Sequence, residues 1–281
     1  MKSTIKKLLG AAITAASLLV ASNAADDGLV LEPADLPSAE RDALQDAIAQ
    51  AKADDPEAFE MLHNIKGHLP ETYKKFRNPI PLVGREIRAI GPRAVMPVIE
   101  ALAFDMWDVP GATEAELNAL KYGMLDALGR WRSHDSAAVL QTAFAIDNNP
   151  VVLQASANSL GKLCDDGSLS ILETALGNSE RRLAALSGLG HCRRPAAASL
   201  LTDALDHASN NQERQVIGKA LGYVGSSWAW EAMARNENDA KAAASVRKLG
   251  LEVRRMASAA LVRSFVNSKG ATRAAAPVGL T

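Results

Sequence analysis

The chain contains two cysteines, Cys164 and Cys192, and each closes an amphipathic stretch that ends in a Leu-Gly pair. Cys164 comes four residues after Leu160, and Cys192 comes three residues after Leu189. An even number of cysteines at nearly matching places favours a disulfide in an oxidising compartment. The alternative is that both are small core residues, because Leu163 stands in the first stretch where Cys192 stands in the second.

Motifs for catalysis or for metal binding are missing from the sequence. No H-E-x-x-H, C-x-x-C, G-x-S-x-G or glycine-rich phosphate loop occurs. A metal site made of His191, Cys192 and Asp165 or Asp166 would compete with the disulfide. We therefore predict no catalytic residue, no cofactor and no metal, and a protein that is not an enzyme.

Polar turn segments follow the Leu-Gly pairs and contain most candidate binding residues. They read GRWRSHD, GKLCDDG, GHCRRP and GYVGSSW, starting at residues 129, 161, 190 and 222. Side by side, they would form a ridge of cationic and aromatic side chains: Arg130, Arg132, His134, Lys162, His191, Arg193, Arg194 and Tyr223. Such a ridge suits an acidic or carboxylated partner. The alternative is a row of solvated turns without a ligand, since three aspartates in these segments reduce the positive charge.

Two tryptophans near the last turn segment are further candidates for partner contact. Trp228 and Trp230 lie two positions apart, so both cannot face the core from one helix. We expect one of them to be exposed and to contact a partner, because tryptophan is enriched at binding hot spots. Trp131 aligns with Leu163 and is expected in the core.

The spacing of the Leu-Gly pairs indicates a repeat. Leu128, Leu160, Leu189 and Leu221 begin these pairs and are 32, 29 and 32 residues apart. Downstream apolar doublets at 139–140, 171–172 and 200–201 keep the offsets 32 and 29. Both stripes have helical period, so the repeating unit is predicted to be a helix pair. Its recurrent glycine either lets two backbones approach closely or ends the first helix.

These residues resemble a known family of repeats. The stretch ERRLAALSGLGHCRRPAAASLLTDAL, residues 180–205, is similar to short HEAT-type repeats, of the subtype also found in phycobilisome lyases. The likeness is good for three units between about 122 and 206. It implies an all-α fold, a right-handed α-solenoid of stacked helix pairs, which usually offers an extended binding surface.

Both ends of the chain differ from the repeats. A helical cap is predicted for residues 25–79, with helices over 38–54 and from Pro56 to about 67. The solenoid is predicted for 80–266, with an ambiguous last boundary, and a flexible tail for 267–281. Residues 25–65 are mainly acidic and 241–281 mainly basic, which indicates either solvated faces or oppositely charged docking ends.

Residues 1–24 have the pattern of a bacterial signal peptide. Three lysines precede an apolar stretch at 8–20, and Ser22 and Ala24 suit cleavage after Ala24. The stretch is shorter than the roughly 20 residues that span a bilayer, so a retained anchor is the less favoured alternative. We predict a periplasmic or secreted protein whose mature chain has a net charge of about −4.

The sequence as a whole favours an exported scaffold or adaptor that binds another envelope protein on its repeats. One alternative is an enzyme similar to the phycobilisome lyases, which handle a bilin chromophore on such a scaffold. Another is binding to an anionic membrane surface through the basic C-terminal helix. Nucleic acid is not expected as a partner, because the protein is exported and that helix has few aromatic residues for stacking bases.

Overall fold

A computed structural model describes residues 27–75, 80–105, 109 and 111–267. These ranges contain 13 α-helices and no β-strand. The helices are α1 (Ser38–Asp54), α2 (Pro56–Lys75), α3 (Ile80–Ile90), α4 (Val95–Ala103), α5 (Glu114–Trp131), α6 (Ala137–Ile146), α7 (Pro150–Leu163), α8 (Asp166–Ala175), α9 (Arg182–His191), α10 (Pro195–Asp206), α11 (Asn211–Val224), α12 (Ser227–Arg235) and α13 (Ala240–Asn267).

Helices α3 to α12 form five antiparallel pairs. We call the first helix of each pair the A helix (α3, α5, α7, α9 and α11) and the second the B helix (α4, α6, α8, α10 and α12). Each A helix packs directly on the next A helix, whereas successive B helices have few contacts. The A helices therefore form one continuous layer of the stack, and the B helices form a second, looser layer. The predicted HEAT-like α-solenoid is confirmed.

The repeat register predicted from the Leu-Gly pairs is also confirmed. Leu128, Leu160, Leu189 and Leu221 lie on four successive A helices, and each is completely buried. Their environments are therefore alike, as repeat positions require. Trp131, expected in the core, is half-buried and packs against it.

The glycine of the Leu-Gly pair serves close packing and does not end the A helix. Gly129 and Gly161 both lie inside helices, two residues before the last helical residue. A Cβ on Gly129 would come within 2.5 Å of the Ser159 side chain on the next A helix. Gly161 faces Gly188 in the same way. Small residues at both sides of each contact therefore set how closely the A helices approach.

Side-chain caps mark the starts of two A helices. Thr113 and Glu116 form a capping box at the start of α5. Asn149 accepts a hydrogen bond from the backbone N–H of Val151, directly before Pro150 opens α7. These caps satisfy amide groups that have no partner within the helix, and so they fix where α5 and α7 begin.

Helices α1 and α2 pack against the first helix pair. An ion pair supports this contact, since Arg93 binds Asp55 and Glu57, the latter at 2.7 Å. Helix α2 continues to Lys75, beyond the expected end near 67, because Leu69 is still buried in the core. The predicted cap boundary at 79 lies outside the described residues.

The C-terminal end of the stack is one long helix rather than a further pair. Helix α13 packs on α10, α11 and α12, and it contains both a further Leu-Gly pair, Leu249-Gly250, and Leu261, either of which could have marked the last repeat. Gly250 lies against the ring of Trp230, where a Cβ would come within 2.6 Å. The predicted tail overlaps α13 at Asn267, and its remainder lies outside the described residues, as does the predicted leader at 1–24.

Candidate binding groove

A disulfide joins Cys164 to Cys192 and links the C-terminal ends of α7 and α9. The two Cα atoms are 5.1 Å apart, and Cys192 is completely buried. Cys164 caps α7 in the left-handed conformation, with φ of 51°. The bond therefore holds two adjacent A helices together at one end.

Replacing both cysteines with alanine is expected to lower the free energy of unfolding by about 3 kcal/mol, because a loop of 28 residues is no longer closed in the unfolded chain. Urea unfolding of the wild-type protein and the double variant would measure this difference. Adding a reductant should bring the wild type to the stability of the variant and leave the variant unchanged. Equal stability of oxidised wild type and variant would contradict the prediction.

A groove of about 400 Å³ runs across the A helices α5, α7, α9 and α11. Its lining follows the repeat, because each of these helices contributes the residues two before and two after its buried leucine. The eight residues are Asp126 and Arg130, Asn158 and Lys162, Ser187 and His191, and Lys219 and Tyr223. The two positions are four residues apart, so they lie on the same face of a helix. The solenoid thus brings four residue pairs into one surface.

Asp126 is the centre of a charge cluster at one end of the groove. Its Oδ1 accepts from Lys162 Nζ at 2.5 Å, and its Oδ2 accepts from Arg88 and Arg130, both at 2.8 Å. Only 8% of the Asp126 side chain is exposed. Burial by itself would raise the pKa of Asp126, but attraction to Lys162 and Arg130 outweighs it, so the pKa is lowered and the carboxylate stays ionised.

Hydrogen-bonded polar side chains occupy the middle of the groove. Asn158 Oδ1 accepts from Gln154 Nε2 at 3.0 Å and from Ser187 Oγ at 2.9 Å. Both bonds orient the Asn158 amide, which leaves its Nδ2 as a donor. The contact between Asn158 and Ser187 also joins α7 to α9, so the floor of the groove is held in a defined arrangement.

An aromatic pair forms the other end of the groove. The rings of His191 and Tyr223 stack with their centroids 5.3 Å apart and an angle of 17° between the planes. Burial, followed by repulsion from Lys162 and Arg193, lowers the pKa of His191 to about 4. His191 is therefore neutral near pH 7, and the pair offers a flat, uncharged wall beside the cations.

The predicted ridge is thus divided into two parts. Arg130, Lys162, His191 and Tyr223 line the groove. The other ridge residues, Arg132, His134, Arg193 and Arg194, do not line it. Of these, Arg132 and His134 are exposed, whereas Arg193 donates to the Gly190 carbonyl oxygen at 2.9 Å and burial lowers its pKa to about 10.

Acidic neighbours explain why the turn edge is a weaker candidate than the groove. Arg194 forms an ion pair with Asp166, and His134 Nδ1 is 3.6 Å from Asp165 Oδ2. Two of the three aspartates expected to dilute the ridge, Asp165 and Asp166, therefore lie directly beside its basic residues. Partner binding through the turn edge would first have to break these pairs.

The two candidate tryptophans have opposite surroundings. Trp228 is 75% exposed, whereas Trp230 is 3% exposed and donates its Nε1–H to the Val224 carbonyl oxygen at 2.7 Å. The prediction that Trp230 contacts a partner is therefore wrong. Trp230 packs against α13 and is not accessible to a partner. Trp228 remains a candidate, although it does not line the groove.

Only four of the twelve residues that line the groove, Arg130, Lys162, His191 and Tyr223, are predicted from the sequence. Asp126, Asn158, Ser187 and Lys219 are not predicted, because they lie before the repeat leucines and outside the turn segments. A signal was present, since all four stand two residues before the repeat leucine and all are polar. Reading the aligned repeats column by column, upstream as well as downstream, would have found them.

Within residues 27–75, 80–105, 109 and 111–267, no cluster of three or more His, Cys, Asp or Glu residues is arranged to hold a metal ion. Of the helices described, none has the length and apolar character needed to cross a membrane.

Comparison with known proteins supports the repeat fold. No curated protein matches the chain. Residues 110–190, which include α5 to α8 and nearly all of α9, match the family model of HEAT repeats. The finer likeness to the subtype shared with phycobilisome lyases stays a prediction. This match and the stacked helix pairs together support a HEAT-like repeat family, and the protein has the fold of a HEAT-like α-solenoid.

Proposed function

We propose that the protein is an exported, non-enzymatic scaffold that binds another protein of the bacterial envelope in the groove of its A helices. The observation that supports this most is the origin of the groove. Four consecutive repeats each supply two polar residues to one continuous surface, as expected for a stack that holds an extended partner. HEAT repeats commonly mediate such contacts between proteins.

The physical character of the groove also favours a protein partner. Its centre is fixed by hydrogen bonds and ion pairs between neighbouring helices, so a partner would meet a largely preformed surface. Binding to a preformed surface loses less conformational entropy than binding to mobile loops. Tyr223, 53% exposed beside the cations, adds an aromatic contact of the kind enriched at interfaces.

Site-specific photo-crosslinking in the native bacterium tests this proposal. A benzophenone amino acid at position 223 is expected to crosslink one envelope protein, because this position lines the groove. The matched control places the same group at exposed Leu251 on α13, where a specific crosslink is not expected. Crosslinks of the same proteins from both positions, or only of cytoplasmic proteins, would reject the proposal.

Export is tested separately. Expression of the full chain in a bacterial host should yield a periplasmic protein whose first residue is Ala25, since the small residues before it suit signal peptidase. N-terminal sequencing of the periplasmic fraction gives the answer. A product found in the cytoplasm with its leader intact would show that the export part of the proposal is wrong.

A further inference from the structure

The groove has more positive than negative charge. Its lining includes Arg130, Lys162 and Lys219 but a single acid, Asp126. Arg88 also contacts this acid from the neighbouring helix α3. The cluster therefore has a net positive charge, although the mature chain as a whole is predicted to be slightly acidic.

Asp126 engages only part of the hydrogen-bonding capacity of these cations. It accepts a single hydrogen bond from Lys162, an ammonium group with three N–H donors, and it binds Arg130 through Nε alone. The Lys162 side chain is only 14% exposed. Burial lowers its pKa, and the nearby Arg130 and Arg88 lower it further. A second carboxylate at this place would offset that repulsion.

The length and lining of the groove fit an extended polypeptide. Four closely packed A helices about 8 Å apart cover roughly 24 Å, which corresponds to about seven residues of extended chain. Asn158 Nδ2 lies in the middle of that path and can donate to a backbone carbonyl. The His191–Tyr223 pair provides a flat surface for the apolar part of a side chain at one end.

From this arrangement we infer that the groove binds an extended acidic segment of the partner protein, with one carboxylate side chain held by Arg130 and Lys162 and a second by Lys219. This inference rests on the proposed function and specifies its chemistry. The carboxylates replace water around cations that are already in place. Lys219, exposed on α11, extends the positive surface beyond the Asp126 cluster.

A defined peptide tests the inference with the full mature protein. The probe is a fluorescein-labelled peptide of four Glu-Ser repeats with an amidated C-terminus, and its control contains Gln in place of Glu. Fluorescence anisotropy should show that the Glu peptide binds at least tenfold more tightly than the Gln peptide. Its affinity should fall as salt is added, because exposed charges are screened. Equal affinities, or no binding of the Glu peptide, would overturn the inference.

Two double variants with equal loss of charge locate the site. Arg130→Gln with Lys219→Gln removes two groove cations, and Arg255→Gln with Lys248→Gln removes two exposed cations of α13. The first pair should weaken binding of the Glu peptide at least tenfold, and the second less than twofold. Similar losses in both would mean that overall charge attracts the peptide. Inorganic phosphate that displaces the peptide at lower concentration than glutarate would mean that the site prefers phosphate.

The crosslinking experiment separates this inference from the proposed function. If the groove variant loses peptide binding and also loses the crosslinked partner, both stand. A crosslinked partner that persists in the groove variant would keep the scaffold function and reject the carboxylate contact. Peptide binding without any specific crosslink in cells would reject the scaffold function instead.

Discussion

Replacing Gly161 with alanine should lower the free energy of unfolding by about 3 kcal/mol, because the new Cβ has no space. An ideal Cβ at this position would overlap the carbonyl oxygen of Gly188 on the next A helix. That oxygen belongs to the backbone of a buried helix, so a change of rotamer cannot move it away. The two helices must separate, although the disulfide at their C-terminal ends opposes this movement.

Gly67→Ala is the matched control for this substitution. Gly67 also lies inside a helix, but nothing is within 4 Å of the place where its Cβ would be. Alanine should therefore leave the protein equally stable or stabilise it by up to about 1 kcal/mol, through its higher helix propensity. Urea unfolding of both variants measures the contrast. If Gly161→Ala were no more destabilising than Gly67→Ala, close approach of the A helices would not be the role of the repeated glycine.

The repeat explains why the fold could be predicted from the sequence more completely than the binding groove. A leucine that recurs at nearly constant spacing needs the same buried environment each time, and stacked helix pairs provide it. Leu128 and Leu160 illustrate this, since one alignment placed both correctly. Helix α13 was harder to predict, because its Leu-Gly pair lies inside one long helix, where Gly250 packs against Trp230 of α12.

The groove could be predicted only in part, because it depends on contacts between helices. Arg130 and Lys162 were recognised as cations, but nothing local in the sequence shows that both bind Asp126. The distance of 36 residues between Asp126 and Lys162 becomes short only when α5 and α7 pack side by side. Burial of Trp230 is a similar case, since it is the packing of α13 that decides which tryptophan is exposed.

Asp126→Asn should have opposite effects on stability and on binding. Asparagine has nearly the same shape but no charge, so Arg88, Arg130 and Lys162 would repel one another without a counterion. We expect the free energy of unfolding to fall by about 3 kcal/mol, as when one partner of a buried ion pair is removed. The groove would also become more positive, so the acidic peptide should bind at least threefold more tightly. A merely structural role of Asp126 would not produce that gain.

Asp166→Asn is the control, because Asp166 also pairs with an arginine, Arg194, but its side chain is 95% exposed. Its loss should cost less than about 1 kcal/mol and leave peptide binding unchanged. The pH dependence gives a further check on Asp126. Its pKa is lower in the folded protein, so its contribution is complete above the unfolded value near 4 and is lost as the pH falls below it. The stability difference between wild type and Asp126→Asn should therefore shrink below about pH 4, and a difference that stays constant there would mean that the charge of Asp126 does not stabilise the cluster.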